Sequence, residues 1–330
     1  MTSPRTTPPA ARPGGRTTPA AVAALAAGMV YAARARRRQR LRLAAVREVA
    51  RAAQETIVPP LPERAGPVGI AASYESAAEA ARIGGDFYEV VRIRAGLRVL
   101  IGDVEGKGLG AVGPAAAVVG AFRESAPVSA RLEEVALRLS CALARRDDER
   151  LVTAVLAELT WDGRLTVLSH GHPAPLIVPE RAPATEAAPV RPGVPLGLAA
   201  LTDGRPGRHD GRLSPGDRVL FHTDGLTETR DRTGRLYPLT TRSALLRTGP
   251  PATALARLRT DARRHSAADH AHDDSALLLL HYPGPYRADP GDSAPAPRLA
   301  TPAAPYLPAD LGCDICAVPD CPLPATFTSP

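Results

Sequence analysis

Residues 97–108 read LRVLIGDVEGKG. The aliphatic and β-branched run over 97–102 predicts a strand, and the chain then places Asp103 at its end and turns through Gly106, Gly108 and Gly110 into an apolar-periodic stretch. Working outward, the device recurs. DRVLFHTDGLTE, residues 217–228, predicts a strand through Val219 and Phe221 that stops at Asp224-Gly225, and HDDSALLLLHY, residues 272–282, puts Asp273 and Asp274 just ahead of a final strand. Upstream, ARIGGDFYEVV, residues 81–91, adds Asp86.

Each of these has an ordinary explanation taken alone. Asp-Gly is a common turn, an aspartate before a helix is a cap, and an Asp-Asp pair can sit solvated at a strand edge. Four strand-terminal sites, Asp86, Asp103, Asp224 and Asp273, are a different matter. If folding gathers them, they cannot all stay ionised without a compensating charge, which divalent cations supply. An all-oxygen set selects Mg²⁺ or Mn²⁺ over zinc. Two such ions, roughly 3.5 to 4 Å apart, can lower the pKa of a shared water and aim it at phosphorus. Phosphate ester hydrolysis is the chemistry of that arrangement, and the chain has no GxSxG, P-loop or CxxxxxR loop to supply another nucleophile.

Gly84-Gly85-Asp86-Phe87 is, letter for letter, the name-giving motif of diguanylate cyclases. That chemistry needs a second metal-binding carboxylate on a strand well ahead of the motif. No aspartate precedes Asp86, and the earlier acids are only Glu48, Glu55, Glu63, Glu75 and Glu79. A nucleotidyl-transfer site is excluded on that ground.

Seven stretches, GGDFYEV, IGDVEGKGLGA, LVTAVLAEL, SHGHPAPLIV, GVPLGL, LSPGDRVLFHTDGLTETRD and HDDSALLLL, occur in the order and approximate spacing of a known family. Over residues 66–282 the chain resembles the SpoIIE-type branch of the protein phosphatase 2C-like (PPM) superfamily. The resemblance implies an α+β fold, a four-layer αββα sandwich of two mostly antiparallel sheets flanked by helices. It also implies a metal-dependent serine/threonine protein phosphatase with two Mn²⁺ or Mg²⁺ ions. By the same resemblance Asp103 bridges both ions, the Val104 carbonyl ligates one, Asp86 acts through metal-bound water, and Asp224 and Asp273 complete the second ion's shell. Asp103 and Asp86 are then the catalytic pair, with Asp274 a neighbour. The implied substrate is a phosphorylated STAS-type anti-anti-sigma factor in a partner-switching pathway.

Lys107 stands where many relatives carry His, and with Arg82 it is a candidate for meeting the substrate phosphate; a solvated turn lysine is the plainer account. His170 replaces a small residue and Glu89 a common Asp. His170 and His172, at i and i+2, would share a face if both lay on a strand, which makes them a candidate metal pair, whereas the family places a strand-to-loop corner here. Two consecutive helices are predicted, over about 108–125 and 129–146. The resemblance makes them a switch on which residues 41–58 would push.

Around this unit lie a Pro-, Ala- and Arg-rich arm (1–40), a predicted helix and proline-punctuated linker (41–65), and a Pro- and Ala-rich tail (283–330). Arm and tail lack apolar periodicity and are expected to be disordered. The formal charge is +7, but residues 1–51 hold eleven arginines against Glu48 alone, leaving about three net negative charges on the remainder. With four Phe and one Trp, that remainder is not a nucleic-acid surface. Residues 17–33 carry no charge and precede a run of arginines, a marginal span whose flank would keep the rest cytoplasmic; residues 17–42 are thus the candidate membrane contact. An export signal fits worse, since arginines follow the apolar run. Residues 41–58 have an apolar stripe suited to packing on the domain or to a homodimer. Cys141 is expected to be a small buried residue, while Cys313, Cys316 and Cys321 lack the fourth ligand that zinc needs. Besides the phosphatase, a non-catalytic partner-binding module on the same fold and a hydrolase of small phosphorylated metabolites are the alternatives.

Overall fold

The computed structural model describes residues 28–29, 31–34, 36–39, 55, 57–75, 84–146, 150–198, 206–266 and 274–286. The chain divides into two units, Met1–Val49 and Ala50–Pro330. In the first, the described residues are helical and exposed, Met29 and Tyr31 among them. Among the described residues no helix is long and apolar enough to cross a membrane. Most of the 17–33 segment and of the 41–58 helix, and all of Cys313, Cys316 and Cys321, lie outside them.

The second unit is built on two antiparallel sheets. One has six strands in the order β1 (Arg64–Ala65), β2 (Val68–Glu75), β11 (Ser275–His281), β10 (Arg218–His222), β7 (Leu176–Val178) and β8 (Thr185–Glu186). The other has five, β3 (Phe87–Ile93), β4 (Gly96–Val104), β5 (Val152–Thr160), β6 (Arg164–His170) and β9 (Gly207–Arg212). Side chains alternate across a strand, and three apolar layers follow from that alternation. Leu97, Val99 and Ile101 of β4 and Val155, Ala157 and Leu159 of β5 face Val219, Phe221, Leu278 and Leu280 of the other sheet. Leu100 and Val104 face the opposite way, against helices α1 (Leu109–Ser125) and α2 (Leu132–Ala144). On the outer face of the six-stranded sheet, Leu220, Leu277 and Leu279 share a layer with Leu239 of α4 (Leu239–Arg242) and with Leu255 and Leu258 of α5 (Pro251–His265). Helix, sheet, sheet, helix is the expected four-layer sandwich.

Polar anchors fix the helices to their sheet. Arg98, buried on β4, donates to the carbonyls of Ala126 and Ser129 in the α1–α2 turn at 2.9 and 2.8 Å and pairs with Glu158 at 2.7 Å. Glu89 of β3 pairs with Arg123 of α1 at 2.5 Å. The substitution noted in the sequence therefore ties α1 to the strand that Asp86 leads into.

The structure carries packed residues a little beyond 66–282 at both ends, into the expected linker and the expected tail. Ile57 is wholly buried in the layer under α1 and α2, with Val58 beside it, and β1 is drawn from the proline-punctuated stretch. At the other end Tyr286 packs edge-on against Trp161 and donates its backbone N–H to the Trp161 carbonyl at 3.1 Å. Apolar side chains, not prolines, set these limits. Cys141 is half-buried rather than buried.

Candidate active site

Three of the four expected aspartates, Asp86, Asp103 and Asp224, lie at one end of the sandwich because antiparallel pairing puts the end of one strand beside the start of the next. Phe87 pairs with Gly102, so Asp86 leads into β3 where Asp103 leaves β4. His222 of β10 pairs with Leu277 of β11, so the Thr223-Asp224 turn abuts the entry to β11. Asp224 opens a one-turn helix, α3 (Asp224–Thr227). Gly225 packs against the Asp274 carbonyl so closely that no side chain fits between them. Asp86 and Asp274 are buried, at 2% and 5% exposure, whereas Asp103 and Asp224 are half-buried.

The two glycines of Gly-Gly-Asp have a steric reason. A methyl on Gly84 would come within 3.0 Å of the Tyr74 hydroxyl and Asp274 Oδ2, and one on Gly85 equally close to the Val104 carbonyl oxygen and Asp103 Oδ1. The carbonyl of Val104 and the carboxylate of Asp103 thus face one point beside Gly85. The Val104 N–H completes the contact, donating to the Gly85 carbonyl at 3.2 Å.

Electrostatics register the crowding. Burial raises the Asp86 carboxyl well above its ordinary range, Asp103 raises it further, a hydrogen bond from Thr223 opposes, and Asp274 and Asp224 add to the rise. Three carboxylates, carried by both sheets, thus act on Asp86. Among the described residues no three His, Cys, Asp or Glu side chains close into a ready metal cage, and Asp273, the fourth expected ligand, lies outside them, as does Arg82. The donor chemistry fits a hard divalent cation: oxygen only, with more negative charge than the site can hold uncompensated. Lys107 is exposed in the turn after β4. That turn is shaped by Gly106 and Gly108 at φ +90° and +84°, and Arg150 lies over it, donating to the Glu105 carbonyl at 3.0 Å.

Several residues of the site escaped the sequence. Thr223 is wholly buried, donates from Oγ1 to Asp86 Oδ2 at 2.8 Å and accepts the Ala276 N–H at 2.9 Å. Arg259 of α5, also buried, donates to the Ser73 and Ser275 carbonyls at 2.8 and 2.6 Å, bracing the strand that follows Asp274. Its guanidinium is lowered to about 10, by burial first, with Glu75 and Asp86 opposing and Arg263 adding to the fall. Thr153 sits directly across from Asp103 in the β4–β5 register and shares a 2.9 Å hydrogen bond with His172 Nδ1. Burial, followed by the neighbouring His222, lowers His172 to about 3, and burial lowers His170 to about 4. Both imidazoles are neutral. His170 ends β6, Gly171 turns the chain at φ +72°, and His172 lies beyond it, a corner rather than two positions on one strand.

A family model described as Stage II sporulation protein E (SpoIIE) matches residues 94–283. Among solved structures, the RsbU and RsbW domains of Rv1364c from Mycobacterium tuberculosis are similar at 25% identity and a TM-score of 0.55, over 67% of this chain and 61% of that one. This chain thus spans less than two thirds of that relative. The SiaA-PP2C domain of Pseudomonas aeruginosa is similar at 16% identity and a TM-score of 0.58, over 74% of this chain and 98% of that one. RsbX, solved in complex with magnesium, is similar at 17% identity and a TM-score of 0.51, over 66% and 97%. The last two establish likeness of fold.

Proposed function

The chain belongs to the SpoIIE family, and from that premise we propose that it is a divalent-metal-dependent phosphatase that removes phosphate from serine or threonine of a regulatory protein. Family and fold together indicate a PP2C-like serine/threonine phosphatase domain. The observation that carries the reading further is the convergence of Asp86, Asp103, Asp224 and Asp274 on one end of the sandwich, where each raises the proton affinity of Asp86 or is that residue.

In this reading Asp103, the Val104 carbonyl, Asp224 and Asp273 would hold two Mn²⁺ or Mg²⁺ ions, with Asp86 beside them. Such ions neutralise the phosphoryl oxygens and lower the pKa of water. The chain's own residues make the cradle. Gly84 and Gly85 let the backbone approach the acids, Thr223 orients Asp86, Arg259 holds the lead-in to β11, and the exposed Lys107 stands ready to meet phosphate at the rim. RsbX, a neighbour in fold, binds magnesium, which supports the choice of metal. We take residues 66–282 as the phosphatase motif region, with the burial of Ile57 supporting a fold that starts earlier. A STAS-type anti-anti-sigma factor as substrate rests on the family resemblance, supported by the likeness to an RsbU domain. The non-catalytic alternative would be favoured by loss of a carboxylate, and all four expected aspartates are present.

The test is p-nitrophenyl phosphate hydrolysis by the full chain with Mn²⁺, Mg²⁺ or EDTA, beside Asp103→Asn and Asp224→Asn. Manganese-dependent turnover lost in both variants is the expected result; no turnover together with no manganese binding by calorimetry refutes the reading. A phosphorylated STAS protein should then be a better substrate than phosphoserine itself.

A further inference from the structure

We propose that Thr223 is a positioning residue for Asp86, fixing its carboxylate across the sandwich through its single hydroxyl proton; the proposal rests on the phosphatase reading above. Thr223 is wholly buried. Its Oγ1 accepts the Ala276 N–H at 2.9 Å and lies 2.8 Å from Asp86 Oδ2. A hydroxyl has one proton to give. With the Ala276 N–H already pointing at the oxygen, that proton goes to Asp86, and Oδ2 is held as an acceptor.

The position of the hydroxyl is set by the six-stranded sheet. The Thr223 backbone N–H donates to the Ala276 carbonyl at 3.1 Å, so both ends of the residue are locked to the second residue of β11. Asp86 belongs to the lead-in of β3, in the other sheet. The bond therefore joins the two sheets at the acidic end, over a separation of 137 residues. Because Asp224 follows Thr223 directly, one residue fixes the spacing between carboxylates carried by different sheets. It also decides which Asp86 oxygen the hydroxyl engages, Oδ2.

Thr223→Val keeps the shape and deletes the hydroxyl, stranding Asp86 Oδ2 and the Ala276 N–H without partners; Thr223→Ala deletes it with less bulk, and Thr223→Ser keeps it. The experiment measures kcat and KM for p-nitrophenyl phosphate with Mn²⁺, manganese affinity by calorimetry, and thermal melting, on the full chain and these three variants. A hydrogen bond to a charged group is lost in Val and Ala, so kcat should fall by about tenfold to hundredfold, and manganese should bind about tenfold more weakly. KM should stay within about twofold, and Ser should recover most of kcat, a pattern that a purely structural threonine would not produce.

Wild-type kcat and manganese affinity in Val and Ala would overturn the proposal. So would a Ser variant as impaired as Val, which would make the methyl the part that matters. Should Val fail to melt cooperatively, the contrast between Ala and Ser decides alone. Turnover by the wild type with silent Thr223 variants overturns only this proposal. A wild type with neither turnover nor manganese binding overturns the phosphatase reading and this proposal with it.

Discussion

Adding one methyl group at Gly85 tests the geometry of the site more directly than removing a carboxylate. The new carbon would lie within 3.0 Å of the Val104 carbonyl oxygen and of Asp103 Oδ1. Carbon and oxygen ordinarily approach to roughly 3.3 to 3.6 Å, so something must move by several tenths of an ångström or more. Asp103 can swing, but the Val104 carbonyl is backbone at the end of a strand paired on both sides, so the strain falls on the Gly-Gly-Asp segment itself. Overpacking of this kind costs about 1 to 3 kcal/mol, which for a domain of this size lowers the melting temperature by roughly 2 to 12 °C. A displacement on the order of 1 Å at the reacting groups can cost about a hundredfold in rate. Gly85→Ala should therefore remain folded, melt earlier and lose about 99% of its manganese-dependent turnover. Gly120→Ala is the control: nothing lies within 4 Å of its added methyl in the middle of α1, so it should gain about 0.4 to 1 kcal/mol and keep full activity. A Gly85→Ala enzyme within twofold of wild type would refute the placement of Asp103 and Val104 around that glycine.

Ile57→Ala removes a wholly buried side chain from the layer beneath α1 and α2, and should cost about 2 to 5 kcal/mol by denaturant unfolding. An exposed-linker value near zero would contradict the packing. In metal-free protein the raised Asp86 carboxyl contributes stability that is full below the ordinary aspartate range and lost as pH rises through its folded value. Manganese should therefore raise the melting temperature more at pH 7.5 than at pH 5, and equal shifts would argue against ions relieving this crowding. His170 runs the other way: burial lowers it from 6.5 to about 4, so its contribution is full above pH 6.5 and falls away toward pH 4, about 3 kcal/mol in all. His170→Gln should flatten the acid side of the stability profile.

Much of the frame was legible because its signals are local. The strand read over 97–102 is β4, the one through Val219 and Phe221 is β10, and the two predicted helices are α1 and α2 with ends moved by up to three residues. Asp103 and Asp224 stood out because a carboxylate closing an apolar strand interrupts the period, and Asp86 because it stands just before one. What stayed hidden depends on partners distant in sequence. Arg259 reads as one more arginine on an arginine-rich helix, yet it reaches Ser73 across 186 residues. Asp274, seen as a neighbour of Asp273, proves buried against Gly84, a contact with a residue 190 positions earlier that an Asp-Asp pair does not announce. Ile57 stands in the last turn of the helix predicted over 41–58 and just ahead of Pro59-Pro60, the composition of a connector, and only the layer under α1 and α2 shows where its side chain goes.

The motif GGDF shows why identical letters need not mean identical chemistry. Here the tripeptide Gly84-Gly85-Asp86 is the seam between two sheets, and its members face the two walls in alternation. Gly84 lies against Tyr74 of β2 and Asp274 ahead of β11, both of the six-stranded sheet, while Gly85 lies against Asp103 and Val104 of β4 in the five-stranded one. Asp86 then receives Thr223 from the turn after β10, crossing back to the first. A side chain at either glycine would wedge the walls apart, and a residue without a carboxylate at the third position would leave the threonine proton nothing to bind. The sequence requirement is therefore two absent side chains followed by one anionic acceptor. That requirement comes from how closely two carboxylate-bearing strand ends must approach, and it is independent of any nucleotide.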